Sequence, residues 1–278
     1  MSMIASTVRE LRASYAFVER NINLSKRYWG WELVFLCYSV AGALSVLYIG
    51  RAAQEFGASS TLDTGRLILY LTVGALAWSY LSAVFDSISE TISYERWEGT
   101  IEYTMMAPVF RITHLLGTAA FSVIYGVVRT GIILVIIGLL FGVDLRHVNI
   151  GGTTAVIALG SLSFMGLGIM AAILPLLFTE RGSQMTHIIS ATLLLVSGVY
   201  YPINVLPAWM QGLAHVTPTL YTLDGMRAAI IDGQGITQIW PSLLGLTLTG
   251  IVTIPLGVAL FLRAEHFAKR TGRLKRSG

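Results

Sequence analysis

Residues 115–142 read LLGTAAFSVIYGVVRTGIILVIIGLLFG, and this stretch decides the class of fold. It contains one charged side chain, Arg129. A helix rises about 1.5 Å per residue, so the stretch is longer than the hydrocarbon core of a bilayer, which is about 30 Å thick. Backbone amides in lipid must find hydrogen-bond partners inside the protein, and a helix satisfies them within one segment. The stretch is therefore typical of a membrane-spanning helix.

The rest of the chain has the same character. Of its 278 residues, 54% are hydrophobic and 12% are charged, and the mean hydropathy is +0.69. Soluble domains contain about 25% charged residues, so this composition excludes a soluble enzyme. We predict an all-α polytopic membrane protein, in which six transmembrane helices lie near residues 31–50, 67–85, 115–142, 154–178, 185–203 and 240–262.

The distribution of Lys and Arg predicts the orientation of the chain. With both chain ends in the cytoplasm, the cytoplasmic segments hold fourteen of these residues and the outer segments hold four, while Arg129 lies in the membrane. Positive residues are enriched in cytoplasmic loops. We therefore expect a multi-pass protein of the cell membrane (inner or plasma membrane) with cytoplasmic N- and C-termini.

The chain shows no internal repeat and no second domain, so residues 1–278 are predicted to form a single transmembrane domain. Apolar residues from Ile4 to Ile22 recur at spacings of three and four, which predicts an amphipathic helix along the cytoplasmic bilayer surface; the alternative is a short coiled coil. The predicted segments are an interfacial helix (1–30), two crossings (31–85), a cytoplasmic coupling loop (86–112), three crossings (113–203), short outer-face helices (204–239), a last crossing (240–262) and a basic cytoplasmic tail (263–278).

The segment from Gly182 to Leu223 has no charged residue but contains Pro202, Pro207 and Pro218. Proline cannot continue a helix ladder. We expect the chain to leave the membrane near Pro202 and to form short re-entrant helices on, or dipping into, the outer face.

Two motifs carry a family resemblance. Residues 94–108 read YERWEGTIEYTMMAP, and residues 197–227 read SGVYYPINVLPAWMQGLAHVTPTLYTLDGMR. The first resembles the cytoplasmic loop of permease subunits of type-2 ABC (ATP-binding cassette) exporters, with matches at Glu95, Arg96, Gly99, Thr100 and Pro108. The second is similar to an outer-gate motif of that family, with matches at Ser197, Gly198, Pro202, Leu206, Pro207, Trp209, Pro218, Tyr221, Asp224 and Arg227. With the helix layout, the resemblance covers nearly the whole chain.

The resemblance implies that the first motif forms a coupling helix, which docks in a groove of a separate ATPase subunit. Gly99 permits a tight turn, Trp97 is a large interface anchor, and carboxylates can meet basic groups on the partner. The alternative is a solvated acidic loop whose charges keep it out of lipid. The residues expected to couple to the ATPase are Glu95, Arg96, Trp97, Glu98, Gly99, Thr100 and Glu102.

The chain has no phosphate-binding G-x-x-x-x-G-K-[ST] motif, so we expect a transport subunit without its own nucleotide site, not an enzyme. No catalytic group, cofactor or metal site is predicted in this chain. ATP and Mg would be bound by two partner ATPase subunits, and a second permease subunit, identical or related, would complete a dimer. The basic tail indicates contact with membrane lipids, not with nucleic acid.

The resemblance also places a translocation path between two permease subunits, with Tyr38, Trp78, Tyr200 and Tyr201 as possible lining residues. An uncharged aromatic path suits a lipophilic or amphipathic substrate, such as a drug, antibiotic or lipid, although membrane-belt and packing roles explain the same residues. Polysaccharide or sodium-ion export by the same mechanism stays open.

Arg129 has two interpretations. It is either a gate or cavity cation, or a shallow interfacial charge that pairs with Glu180 or with lipid phosphate. A stand-alone secondary transporter or channel is the further alternative for the whole chain. It would need ionisable groups within the membrane, and no carboxylate is expected deep in any crossing helix.

Overall fold

The computed structural model describes residues 3–55, 64–141, 147–272 and 274. These residues form helices and no strand, which confirms the all-α prediction for this part of the chain; residues 273 and 275–278 of the predicted basic tail lie outside it. The helices are α1 (Met3–Arg27), α2 (Trp29–Glu55), α3 (Thr64–Glu98), α4 (Ile101–Met106), α5 (Arg111–Phe141), α6 (Ile150–Ala171), α7 (Ile173–Leu177), α8 (Gly182–Val196), a 3₁₀ turn (Ile203–Val205), α9 (Ala208–Val216), α10 (Pro218–Ile230) and α11 (Trp240–Arg270).

Within the described ranges, five helices are long and apolar enough to cross a membrane: α2, α3, α5, α6 with its continuation α7, and α11. The remaining predicted crossing, near 185–203, corresponds to α8, which has 15 residues. A helix of that length rises only about 22 Å. The structure therefore shows a protein with several membrane-spanning helices, and the number six stays a prediction.

Although α8 is short, the segment that contains it runs the height of the bundle. Ser183 at its start lies 2.6 Å from Ser93 of α3, measured between hydroxyl oxygens. At the other end, Gly74 of α3 lies so close to Val199 that an added Cβ would be 2.2 Å from the Val199 carbonyl oxygen. From residue 74 to residue 93 a helix rises about 28 Å, so residues 183–199 cover nearly one hydrocarbon thickness.

The predicted second crossing ended at residue 85, but α3 continues without a break to Glu98. Two of its serines in this part have hydroxyl partners on neighbouring helices. Ser122 of α5 donates to Ser87 at 2.9 Å, and Thr186 of α8 lies 3.0 Å from Ser89. The predicted loop over 86–112 is therefore mostly helix, and only residues 99–100 and 107–110 connect α3, α4 and α5.

The helices define two ends of the bundle. The α1 end comprises α1, α4, the α7–α8 connection and the last turns of α11. The α10 end comprises residues 197–239 and the beginning of α3. Between them, α6 and α11 pack so closely that a Cβ added to Gly166 would lie 2.4 Å from the Thr253 hydroxyl oxygen. These two helices are therefore packed with no room for even a methyl group at this contact.

Helix α1 packs along the first half of α5 through one stripe and leaves another stripe exposed. The packed residues, spaced four, three and four apart, are Glu10, Ser14, Phe17 and Asn21. Of the predicted apolar face, Val8, Leu11 and Tyr15 are exposed; the side chain of Ile4 lies outside the described residues. The bundle therefore does not cover these three apolar side chains.

Candidate functional site

A sharp turn separates α3 from α4 at the α1 end. Gly99 has φ 74°, in the left-handed region that side chains disfavour, and its N–H donates to the Arg96 carbonyl at 3.2 Å. Around this turn lies a continuous exposed group, which we call the α4 surface. It consists of Trp97, Glu98, Glu102, Tyr103, Met106, Pro108 and Phe110.

Behind the α4 surface, α4 rests on the core. Ile101 and Met105 are buried in an apolar cluster that includes Ile88 of α3, Leu115 of α5 and Phe261 of α11. One side of this short helix is thus anchored while the other presents Glu102, Tyr103 and Met106 outward. The anchoring makes α4 a firm platform, because packed interiors resist deformation.

Glu95, predicted to face a partner, points into the protein instead. Its side chain is 2% exposed, and its carboxylate lies 2.7 Å from the Arg20 guanidinium of α1 and 3.2 Å from His114 Nε2 of α5. A buried carboxylate costs much free energy unless it is paired, and these contacts provide the pairing. Glu95 therefore fastens α3 to α1 and α5 and does not belong to the α4 surface.

Some of the other residues predicted to couple to the ATPase are buried or at the turn, and the others are exposed. Arg96 is also buried and donates to the Thr179 hydroxyl at the α7–α8 connection. Thr100 precedes α4: its hydroxyl donates across the turn to the Glu95 carbonyl at 3.4 Å, and its carbonyl accepts the Thr104 N–H at 3.2 Å. Trp97, Glu98 and Glu102 are exposed. Of the predicted set, these last three alone lie on the α4 surface.

Sequence reasoning missed the residue that closes the far end of α4. Arg111 Nη1 donates to the Thr104 carbonyl at 2.6 Å, Nη2 donates to the Met105 carbonyl, and Nε donates to Glu265 of α11 at 2.9 Å. Lys269 Nζ also binds Glu265, at 2.6 Å. Glu265 and Lys269 stand four apart on one helix face, a visible signal, but nothing in the sequence connects them to Arg111.

At the α10 end, the second motif closes the end of α8. Gly198 has φ 65°, and the carbonyls of Gly198 and Val199 accept hydrogen bonds from Arg227 Nη2 at 3.2 and 2.7 Å. The Arg227 guanidinium carbon lies 3.7 Å from the ring centroid of Tyr70 in α3, a cation–π contact. Arg227 thus joins α10, α8 and α3, and Tyr70 is the partner that sequence reasoning missed.

The other residues of this motif shape the short helices. Ser197 is fully buried, whereas Trp209 and Asp224 are exposed. The Tyr221 hydroxyl donates to the His215 carbonyl at 2.9 Å. The three prolines stand at helix starts, where a missing N–H costs little: Pro202 before the 3₁₀ turn, Pro207 before α9 and Pro218 as the first residue of α10.

The four aromatic residues proposed to line a path are not equivalent. Trp78 and Tyr200 are half-buried and pack against the same apolar cluster at the α10 end. Tyr38 on α2 is exposed, and the Tyr201 hydroxyl donates to the Leu195 carbonyl at 2.5 Å. The structure thus brings Trp78 and Tyr200 together and leaves Tyr38 on the surface of this chain.

Arg129 binds α2, not Glu180. It donates to the Phe35 carbonyl at 3.0 Å, to the Ser39 hydroxyl at 2.5 Å and to the Tyr125 hydroxyl at 3.3 Å. Phe35 and Ser39 lie about 9 and 15 Å along α2 from its start at Trp29. The first half of α5 therefore extends past the start of α2, and Arg129 lies in the half of the bundle nearer the α1 end, which supports a shallow position.

The prediction that no carboxylate lies deep in a crossing helix stays a prediction, but two carboxylates do lie within one of the candidate spans. Asp86 and Glu90 lie on α3 inside a span long enough to cross the membrane, about 18 and 12 Å from its end at Glu98. Near them, the Tyr125 hydroxyl donates to Glu32 of α2 at 2.5 Å, next to Arg129. These polar side chains occupy the same half of the bundle as Arg129.

A bundle with several helices long and apolar enough to cross a membrane defines a polytopic membrane protein. Residues 15–231 match the ABC-2 type transporter family, and the chain belongs to that family. It is therefore a membrane permease subunit of an ABC transporter, as the two motifs predicted, in a class of subunit that generally carries no catalytic activity.

Two curated proteins illustrate what the chain is similar to. It is 29% identical over 152 residues to the linearmycin resistance permease protein LnrN of Bacillus subtilis (strain 168), covering 54% of this chain and 38% of that protein. It is 22% identical over 158 residues to the inner membrane transport permease YadH of Escherichia coli (strain K12), covering 57% of this chain and 60% of that protein. The matched segments thus span about half the length of these relatives.

Proposed function

We propose that this chain is the permease subunit of an ATP-driven exporter and that separate ATPase subunits dock on the α4 surface. The observation that carries this proposal is the α4 surface itself. Trp97 is 75% exposed, and Tyr103 and Met106 are each 73% exposed, on a helix whose opposite side is firmly buried. Large apolar side chains at the tip of a bundle are typical of interface anchors, not of solvated loops.

The ATPase partners are proposed to supply the chemistry of ATP hydrolysis. Glu98 and Glu102 flank the exposed aromatic residues and suit basic groups on a partner. Two ATPases, one for each permease subunit of a dimer, would bind ATP and Mg. Their closure would displace α4 and open the path between the permease subunits outward. The path is proposed to include Trp78 and Tyr200, with Arg227 and Gly198 at its outer gate.

The α1 end is proposed to face the cytoplasm of a cell-membrane protein with six crossings. The height of residues 183–199 along α3 supports a crossing by α8 and the turn that follows it. On α1, the exposed Val8, Leu11 and Tyr15 lie beside exposed Arg9 and Arg12, a pattern suited to the headgroup region of anionic lipid. Both termini, α1 and the basic tail would then contact the inner leaflet.

The substrate is proposed to be lipophilic or amphipathic, such as an antibiotic or a lipid. The aromatic lining residues support this class, and one similar protein is named for linearmycin resistance. A stand-alone transporter or channel is the second candidate, because Asp86 and Glu90 on α3 supply the ionisable groups that such a mechanism needs. Transport by reconstituted protein without ATP would favour that candidate and reject the first.

The docking role is tested by co-expression with the cognate ATPase and purification through a tag on the permease. Trp97→Ala is expected to reduce the recovered ATPase at least about tenfold, because an interface Trp contributes about 2 kcal/mol or more. Gly99 is unsuited to this test, since at φ 74° any replacement also strains the turn.

The matched control is Trp240→Ala. Trp240 is also exposed, but it lies at the start of α11 at the α10 end. Its replacement is expected to leave ATPase recovery unchanged. Equal recovery with Trp97→Ala and with the wild-type chain would rule out the α4 surface as the docking site.

A further inference from the structure

The last carbonyl groups of α4 bind a protein side chain. A helix leaves its final carbonyls without intrahelical partners, and here the Arg111 guanidinium takes two of them, from Thr104 and Met105. The third contact of the same guanidinium is Glu265 of α11, at 2.9 Å. One side chain at the start of α5 therefore connects α4 to α11.

This connection is buried. The Arg111 side chain is 13% exposed and the Glu265 side chain is 6% exposed, whereas Lys269, the other partner of Glu265, is 46% exposed. A charge pair shielded from water is hardly screened by salt, and loss of one member leaves the other charge uncompensated. Lys269 is the more exposed of the two cations, so its contact with Glu265 contributes less than that of Arg111. Arg111 and Glu265 are therefore the essential pair.

The pair also lies between α4 and α11, so a displacement of α4 would reach α11 through it. Helix α4 is joined to α3 and α5 by short connections, residues 99–100 and 107–110. Between Pro255 and Glu265, α11 packs tightly against α6, since a Cβ on Gly257 would lie 2.7 Å from the Gly166 carbonyl oxygen, so a displacement of the end of α11 would act on both helices. Glu95 provides a separate contact to α1 and α5 through Arg20 and His114.

We propose that Glu265 is a positioning residue that transmits the displacement of α4 to α11 through Arg111. The inference rests on the proposed docking of an ATPase at the α4 surface. Glu265 touches neither nucleotide nor substrate. Its effect is on coupling, because without it α4 can move while α11 and α6 stay in place.

The test uses the full complex of permease and cognate ATPase in proteoliposomes, and it measures substrate transported per ATP hydrolysed. Glu265→Gln keeps the volume of the side chain and one acceptor but removes its charge. The complex is expected to assemble and to hydrolyse ATP, while the transport ratio falls at least about fivefold, the lower range of typical coupling effects. A residue that serves folding alone would lower the yield and leave this ratio unchanged.

The control is Lys269→Gln, which removes the exposed partner of the same carboxylate and is expected to leave the ratio within about twofold of wild type, because solvated pairs contribute little. The exchange Arg111→Glu with Glu265→Arg is expected to stay uncoupled, since a carboxylate at 111 cannot donate to the Thr104 and Met105 carbonyls. If Glu265→Gln prevents folding, Glu265→Asp retains the charge with a shorter reach, and a reduced ratio is expected.

The outcomes separate the two proposals. A wild-type chain that binds no ATPase overturns the docking proposal and, with it, this inference. A complex that assembles normally but has an unchanged ratio with Glu265→Gln, or with Glu265→Asp where that variant is used, overturns the inference alone.

Discussion

The two ends of the bundle differ in the burial of their ion pairs: the carboxylates are buried at the α1 end, whereas the Arg66–Asp232 pair at the α10 end, at 2.8 Å, is exposed. At the α1 end, ion pairs to buried carboxylates join distant helices: Arg20 to Glu95, and Arg111 to Glu265. At the α10 end, Arg227 has no carboxylate within ion-pair distance among the described residues. It binds two backbone carbonyls and the ring of Tyr70, beside a glycine that allows α8 to come close.

The difference has a mechanical consequence. An ion pair tolerates small displacements, because Coulomb attraction falls slowly with distance. Hydrogen bonds to carbonyls need a narrow geometry, and a glycine contact allows no displacement inward. The buried ion pairs of the α1 end therefore tolerate more displacement than the contacts of Arg227 and Gly74 at the α10 end, although Arg111 also donates to two carbonyls at the α1 end.

The largest expected effect comes from breaking the α1 end at Glu95. Glu95→Ala leaves Arg20 and His114 facing a cavity, and breaking a buried pair in this way costs about 3 kcal/mol. The free energy of unfolding in mixed micelles measures it. The double variant Glu95→Ala with Arg20→Ala should cost less than the sum of the single changes. Full additivity would show that the two side chains do not interact.

A smaller effect is expected from breaking the α10 end at Gly74. A Cβ there would lie 2.2 Å from the Val199 carbonyl oxygen, so Gly74→Ala must push the end of α8 away from α3. Overpacking of this kind costs about 2 kcal/mol. The control is Gly131→Ala, where an added Cβ meets nothing within 4 Å. That change is expected to stabilise α5 slightly, and equal unfolding midpoints for both variants would contradict the packing at Gly74.

The smallest expected effect is a pH-dependent change in stability from Glu10, which lies on α1 at the α1 end. Hydrogen bonds from the Thr113 hydroxyl and the Phe110 N–H hold the pKa of Glu10 below its ordinary value of 4.5. The ionised form is thus favoured in the folded state, so its contribution is present above pH 4.5 and is lost as the pH falls through the lowered pKa.

The thermal midpoints of the wild-type chain and of Glu10→Gln should therefore differ at pH 7 and converge in acid. A constant difference across that range would show that the contacts of Glu10 do not depend on its charge.

Much of the architecture was predictable because hydropathy is a local property. Runs such as 115–142 and 240–262 predicted α5 and α11, and the motifs at 94–108 and 197–227 predicted the family that residues 15–231 confirm. The coupling role of Trp97 and the substrate class stay predictions.

The errors lie where residues depend on partners distant in sequence. The charges after residue 85 predicted a loop, yet α3 continues to Glu98, and Glu95 and Arg96 find partners on α1, on α5 and at the α7–α8 connection. Glu95 was expected to face outward, but Arg20 and His114 draw it inside. A single sequence shows the charge and does not show its partner.

The sequence by itself determined that this protein is helical, dissolved in lipid and built around two family motifs, because burying apolar helices in a bilayer depends only on neighbouring residues. The tertiary structure alone decided which polar side chains face outward and which hold the helices together. Arg111 and Glu265 stand 154 positions apart, and their attraction arises only when the bundle has closed around them.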